Sequence, residues 1–273
     1  MKTSNYFDLL VNSLKSAGIA ALAALMAGTP ANAITRGGEP DGNDHPGVGL
    51  MVLTRNGVPL SRCSGILISP TVFLTAGHCT YGGNGARVWF EEDVDSVSDY
   101  PYGGNTAIEA LSVHTHPSYV DSAFFLYDLG VVILSQPKNL FQGEYGVLPS
   151  AGLLNQFKNR RGLQDTSFTA VGYGLQQIRP ETIGLRKRLQ AELGLIDLTG
   201  TVGIPEGTSI GLTNNAHTGG TCFGDSGGPI FVNDTNVVGA VTSFGLNGNC
   251  AGTGFGYRVD QQDDLSWLGT FLP

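Results

Sequence analysis

A serine hydroxyl becomes a useful nucleophile only when the chain supplies a base to take its proton and a group to orient that base. Three residues far apart in this sequence have the types and surroundings for those jobs. Ser226 lies in Thr221-Cys222-Phe223-Gly224-Asp225-Ser226-Gly227-Gly228-Pro229. There Gly224, Gly227 and Gly228 let the chain turn sharply and bring N–H groups close to a substrate, and amides so placed can hold an oxyanion. His78 ends the run Leu74-Thr75-Ala76-Gly77-His78-Cys79, and an imidazole is the side chain best suited to accept a hydroxyl proton at neutral pH. Asp128 opens the almost wholly apolar Asp128-Leu129-Gly130-Val131-Val132-Ile133-Leu134, where a buried charge needs a partner. A histidine N–H is a suitable one, because a carboxylate there fixes the tautomer and stabilises the imidazolium. Taken singly, His78 reads as a structural histidine and Asp128 as a strand-capping turn residue. In the order His78, Asp128, Ser226 they make one hypothesis, an activated serine.

The rest of the chain has to position these three groups. It has 273 residues with 40 glycines, 13 prolines and 41% hydrophobic residues, a globular composition with many turns and few long helices. Residues 1–33 read as a secretory signal: Lys2 and Lys15 flank its start, Ala17 to Ala27 is small and apolar, and Ala31-Asn32-Ala33 is a small-x-small cleavage site. That run is too short to span a bilayer, and the mature form is expected to have no membrane span. Removing Lys2, Lys15 and Asp8 leaves 13 basic and 22 acidic residues, a net charge of about −9. The sign argues against nucleic acid as a partner and fits a secreted protein kept soluble by its charge.

Cys63, Cys79, Cys222 and Cys250 are the four cysteines, and none forms a close CxxC pair of the zinc-binding kind. Export favours disulfides. Three pairings are open; the short-range one joins Cys63 to Cys79 and Cys222 to Cys250, each bridge worth about 3 kcal/mol. The acidic turn formers Gly37 to Asp44 lack the ligand spacing of a calcium loop and read as a solvated turn. Asn233-Asp234-Thr235 fits a glycosylation sequon, a weak signal without knowledge of the host.

Short runs rich in β-branched and aliphatic residues, bounded by Gly, Pro, Asn or Asp, predict strands at 48–53, 64–68, 72–75, 86–90, 107–114 and 129–134. A less apolar stretch around 136–147 reads as a linker. Six more strands are predicted at 167–173, 186–196, 208–213, 229–232, 237–244 and 254–259. The expected class is all-β: two six-stranded antiparallel barrels, 34–135 and 148–262, each closed to avoid open edges. A short helix follows over 263–273, with Asp263 and Asp264 in its first turn and Leu265, Leu268 and Leu272 on one face.

The ordered motifs resemble those of the trypsin/chymotrypsin-like serine proteases. Leu-Thr-Ala-Gly-His-Cys at 74–79, Asp128 with its strand and Gly-Asp-Ser-Gly-Gly-Pro at 224–229 carry the resemblance. Cys63-Ser64-Gly65-Ile66-Leu67-Ile68, His116-Pro117-Ser118-Tyr119, Gly172-Tyr173-Gly174, Ser243-Phe244-Gly245 and Trp267 extend it over nearly the whole mature chain. It implies two six-stranded barrels with a cleft between them, and a secreted serine endopeptidase, extracellular or periplasmic, acting as a monomer on peptide or protein substrates. Its catalytic residues would be His78, Asp128 and Ser226, with Gly224 and Ser226 as oxyanion donors worth roughly 3–4 kcal/mol each. No metal or organic cofactor is implied.

The resemblance also places the pocket for the residue before the cut. Its base falls at Gly220 beside Thr221, its walls at Gly245 and Gly254, and Ser243 and Phe244 complete it. With no acidic residue at that base, an apolar or aromatic side chain is expected in the pocket rather than a basic one. Asp225 would pair with the amine of a new N-terminus, here Ile34 freed by cleavage after Ala33. The sequence departs from the family's pattern with Thr35 and Arg36 between Ile34 and Gly37.

Overall fold

An apolar run alternating over a few residues buries one face, and neighbouring strands that curl into a closed wall gather those faces inside it. The computed structural model, which describes residues 38–157, 167–198, 204–215 and 217–273, shows two such walls. Residues 1–33 and Ile34, read above as an export signal and a new terminus, lie outside the described residues. A two-residue strand, β1 (Glu39–Pro40), comes first. The first barrel follows with β2 (Val48–Arg55), β3 (Val58–Leu67), β4 (Val72–Thr75), β5 (Gly85–Trp89), β6 (Ile108–Thr115) and β7 (Gly130–Leu134), closed in the order β2-β3-β4-β7-β6-β5. The second contains β8 (Ser167–Gly172), β9 (Leu189–Asp197), β10 (Ser209–Asn214), β11 (Pro229–Val232), β12 (Val238–Gly245) and β13 (Gly252–Arg258), in the order β9-β10-β13-β12-β11-β8 with β8 closing on β9. β1 adds to β9, and α1 (Gln262–Gly269) ends the chain. Among the described residues every pairing of these strands is antiparallel, and the all-β class with two closed six-stranded barrels and a short C-terminal helix stands as the sequence predicts.

Strands β4 and β11 match the predicted limits residue for residue. β3 starts at Val58, six residues ahead of its predicted start at Ser64. Its hairpin turn is Asn56-Gly57, both at positive φ (52° and 81°), the dipeptide that two-residue hairpins favour because their twist requires φ > 0. That turn, rather than the apolar alternation, sets where the strand begins. In the first barrel, Leu50, Phe73, Leu74 and Val131 are fully buried, each worth about 2 kcal/mol in transfer from water.

The stretch read as a solvated turn is not solvated at Asp41. That carboxylate is fully buried, accepting from Arg188 Nε at 2.7 Å, from His45 N–H at 3.1 Å and from the His45 ring at 2.6 Å. Arg188, itself buried, also donates to the carbonyls of Val48 and Phe90 in the first barrel, to Asn43 and to the hydroxyl of Tyr173. A buried ion is tolerated only when paired and fully hydrogen-bonded, and these partners meet that requirement. Burial disfavours the Asp41 carboxylate, but His45 and Arg188 outweigh it and hold its pKa below the usual carboxylate range.

In the helix, Leu268 is buried as the apolar stripe requires, and Asp264, predicted in the first turn beside the dipole, is fully buried as well. The Tyr257 hydroxyl donates to it at 2.8 Å.

Candidate active site

His78 follows β4 on a corner tied by the disulfide between Cys63 and Cys79, and Asp128 stands just before β7. β4 and β7 pair through Thr75 and Gly130, so the ladder that the two apolar runs form brings the ends carrying His78 and Asp128 together. Asp128 is fully buried. The His78 ring nitrogen Nδ1 lies 3.0 Å from both carboxylate oxygens. A carboxylate only accepts, so Nδ1 carries the proton and Nε2 is left as the basic atom. The backbone N–H of His78 donates to Asp128 Oδ1 at 2.9 Å and Ser243 Oγ donates to Oδ2 at 2.5 Å. Burial pulls the pKa of His78 down, but the charge and hydrogen bond of Asp128, helped by Asp121, more than reverse this and leave it raised.

His78 and Ser226 line one cleft of 430 Å³ with Arg62, Thr221, Phe223, Gly224, Ser243, Phe244 and Gly245. The turn that carries Ser226 is held by its own backbone. Asp225 N–H donates to Cys222, Gly228 N–H to Asp225 and Gly227 N–H to Thr242 on β12. The two remaining amides between 224 and 228, those of Gly224 and Ser226, have no acceptor among the described residues. Gly224 sits at φ +99° and Gly227 at φ +78°, conformations that side chains resist. An arrangement with two free amides beside a hydroxyl and a basic imidazole can stabilise an oxyanion while a carbonyl is attacked.

Asp225 does not line the cleft and is buried. Its Oδ1 accepts from Gly174 N–H at 2.7 Å and its Oδ2 from Cys222 N–H at 2.9 Å. Burial is the dominant influence and pushes its pKa up to about 6, against those two amides and the charge of Arg62. Gly172 and Gly174 lie so close to it that a Cβ on either would collide with the carboxylate.

Of the pocket residues named from the sequence, Thr221, Ser243, Phe244 and Gly245 line the cleft directly. Gly220 and Gly254 flank Asn214 and Thr221: a Cβ on Gly220 would collide with the Asn214 side chain, and one on Gly254 would meet Thr221 Oγ1 at 3.0 Å. Cys222 and Cys250 are bonded, as are Cys63 and Cys79, so the short-range pairing is the one formed. The sulfurs of Cys63 and Cys79 lie near the His78 ring, but as disulfide sulfurs they are not thiolate ligands. Phe244 stacks on Phe255 at 4.8 Å between ring centroids and meets Phe124 edge-on at 5.6 Å. Asn214, Thr242 and Phe124 were not found from the sequence. Asn214 ends a strand, where asparagine is an ordinary breaker; the turn bridged by Asn215 and Gly219 sets it against Gly220 and Thr221, and the pairing of β10 with β13 sets it opposite Gly252.

A family model described as Trypsin matches residues 34–266. The chain belongs to the trypsin family. A curated relative described as trypsin, from Saccharopolyspora erythraea, is 28% identical over 227 residues, covering 78% of this chain and 86% of its own length. Among solved structures, a protein described as HL collagenase superposes with a TM-score of 0.63 at 22% identity, over 84% of this chain and 95% of its own; at that identity the likeness speaks for the fold. As a trypsin-family protein the chain is a serine endopeptidase, a hydrolase.

Proposed function

We propose that the protein is a secreted endopeptidase that cleaves peptide bonds through an acyl-enzyme on Ser226. His78 Nε2 takes the hydroxyl proton and returns it to the leaving amine, Asp128 orients the ring and stabilises its charge, and the amides of Gly224 and Ser226 receive the oxyanion. One observation carries this reading most: a buried carboxylate fixes the His78 tautomer so that the basic nitrogen is free in the cleft that Ser226 lines.

The side chain before the cut enters the slot bounded by Thr221, Ser243, Phe244 and Gly245, and its preference is neutral, apolar or aromatic. What supports this is the amide of Asn214 in the space beside Gly220, where a basic side chain would need a carboxylate. Residues 1–33 direct export, cleavage after Ala33 frees Ile34, and its amine pairs with Asp225; the protein then works as a monomer in the periplasm or medium. The two disulfides suit an oxidising compartment, and no helix among the described residues is long and apolar enough to cross a membrane.

The reading is tested by treating the exported protein and its Ser226→Ala variant with a fluorophosphonate and profiling cleavage of a peptide library. Adduct formation on the wild type alone, with cleavage after neutral side chains, is expected. A wild type that forms no adduct overturns it.

A further inference from the structure

Ser64 is fully buried on β3, and each of its polar atoms is engaged. Its N–H donates to the carbonyl of Ser226 at 2.8 Å. Its Oγ donates to the carbonyl of Gly224 at 2.9 Å and accepts from the N–H of Tyr173 at 2.9 Å. Its own carbonyl accepts from Thr75 Oγ1 at 2.7 Å. The next amide along, that of Gly174, holds Asp225. One residue of the first barrel therefore grips the carbonyls on both sides of Asp225 and is braced by the stretch of the second barrel that grips the Asp225 side chain.

The two free amides of this turn belong to Gly224 and Ser226, and the two carbonyls gripped by Ser64 belong to the same residues. A carbonyl held in place fixes the ψ of its residue. At Gly224, where no Cβ restricts the backbone, the bond from Ser64 Oγ supplies that restriction. The backbone approaches Ser64 closely: a Cβ on Gly172 would stand 3.1 Å from Ser64 Oγ and one on Gly228 3.2 Å from Ser64 Cβ, so neither position has room for a larger residue beside it.

We propose that Ser64 is a positioning residue for hydrolysis: by holding the Gly224 carbonyl its hydroxyl fixes ψ at Gly224, between that peptide and the preceding one, whose Phe223 carbonyl is held by the Leu175 N–H, so that the Gly224 N–H faces the developing oxyanion. The proposal rests on the acyl-enzyme reading above. Ser64→Ala leaves the Gly224 carbonyl and the Tyr173 amide without their partner while touching no atom of the substrate. Loss of an oxyanion donor outright costs about 100-fold to 1,000-fold in kcat; loosening one is expected to cost roughly 10-fold to 100-fold, with KM within about twofold.

The test is kinetic, with rates expressed per site titrated by fluorophosphonate, so that misfolded molecules do not count. The readout that a purely structural role would not move is affinity for a peptidyl trifluoromethyl ketone, whose adduct with Ser226 places an oxyanion among these amides. Ser64→Ala is expected to weaken it by the same factor as kcat/KM, while a product-like peptide binds unchanged. Thr75→Val, which removes the bond to the far side of Ser64, serves as the control: a lower melting temperature with kcat per titrated site retained. Equal loss of ketone and product-peptide affinity in Ser64→Ala, or an unchanged kcat per site, overturns the proposal. A wild type that cannot be titrated at all overturns the acyl-enzyme reading and this one with it.

Discussion

The side-chain amide of Asn214 donates from Nδ2 to the carbonyl of Thr221 at 2.8 Å and lies against Gly220, filling the space into which a side chain on Gly220 would grow. The two face each other across the turn bridged by Asn215 and Gly219, Asn214 closing β10 and Gly220 opening the segment that leads to Ser226. On the proposed reading of Gly220 as the pocket base, an uncharged carboxamide then stands where a carboxylate would be needed to hold a basic substrate.

Asn214→Asp puts a charge at that point without enlarging the side chain. The expected outcome is a rise of at least about tenfold in kcat/KM for lysyl over phenylalanyl substrates, since one opposite charge in a desolvated slot is worth more than about 1.4 kcal/mol. Paired kinetics on the two substrate series check it. No gain for the lysyl series would remove Asn214 from the floor of the slot.

On the proposed mechanism the raised pKa of His78 sets the acid limb of the pH profile. Only the neutral ring takes a proton, so kcat/KM is expected to rise through a midpoint above the ordinary 6.5. Asp128→Asn removes the charge that opposes burial, and the midpoint should then fall while kcat drops by about 10⁴. NMR titration of the ring in a Ser226→Ala background, with and without Asp128→Asn, gives the two midpoints independently of turnover. The same shift acts on stability: a raised histidine pKa stabilises the fold below its unfolded pKa, and that contribution is lost as pH rises through the folded value.

Asp225 works in the opposite sense from most carboxylates. With its pKa at about 6 against 3.8 when exposed, the folded state holds a proton that the unfolded state has released. Its contribution is present below 3.8 and disappears as pH climbs through about 6. The fall amounts to about 3 kcal/mol, since every tenfold difference in proton affinity between the two states is worth about 1.4 kcal/mol. If the amine of Ile34 reaches it, the carboxylate is stabilised and this loss vanishes. Denaturation at pH 4 and pH 7 should therefore show the fall in a chain retaining residues 1–33 and not in one beginning at Ile34; the same fall in both would break the pairing.

Breaking the buried pair of Asp41 and Arg188 is expected to be costly, because either partner alone is left as an unpaired buried group. Arg188→Met should lower stability by about 3–5 kcal/mol, and pairing it with Asp41→Asn should restore part of the loss. Because the Asp41 pKa is held low, its contribution is present above the unfolded value and is lost as pH falls through the folded one. Urea denaturation of the single and double variants measures both effects.

Much of this protein was legible in order along the chain. The period of the apolar runs and the turn residues between them predict twelve strands, because the alternation that buries one face of a strand is local. The motifs around His78, Asp128 and Ser226 were legible as well, since the small residues and adjoining apolar strand of each are contiguous, and the structure brings His78 to Asp128 and into one cleft with Ser226. What the sequence left open depends on pairs distant in the chain. The burial of Asp41 needs Arg188, found 147 positions away. The hydroxyl that completes the shell of the Asp128 carboxylate, that of Ser243, reaches it across 115 positions. Asn214 meets Gly252 only through the register of β10 on β13, and Ser64 meets Gly224 only because the first barrel packs its β3 under the turn of the second. Polar groups of that kind are chosen by which donors and acceptors remain unpaired after the barrels close, and that accounting exists only in three dimensions.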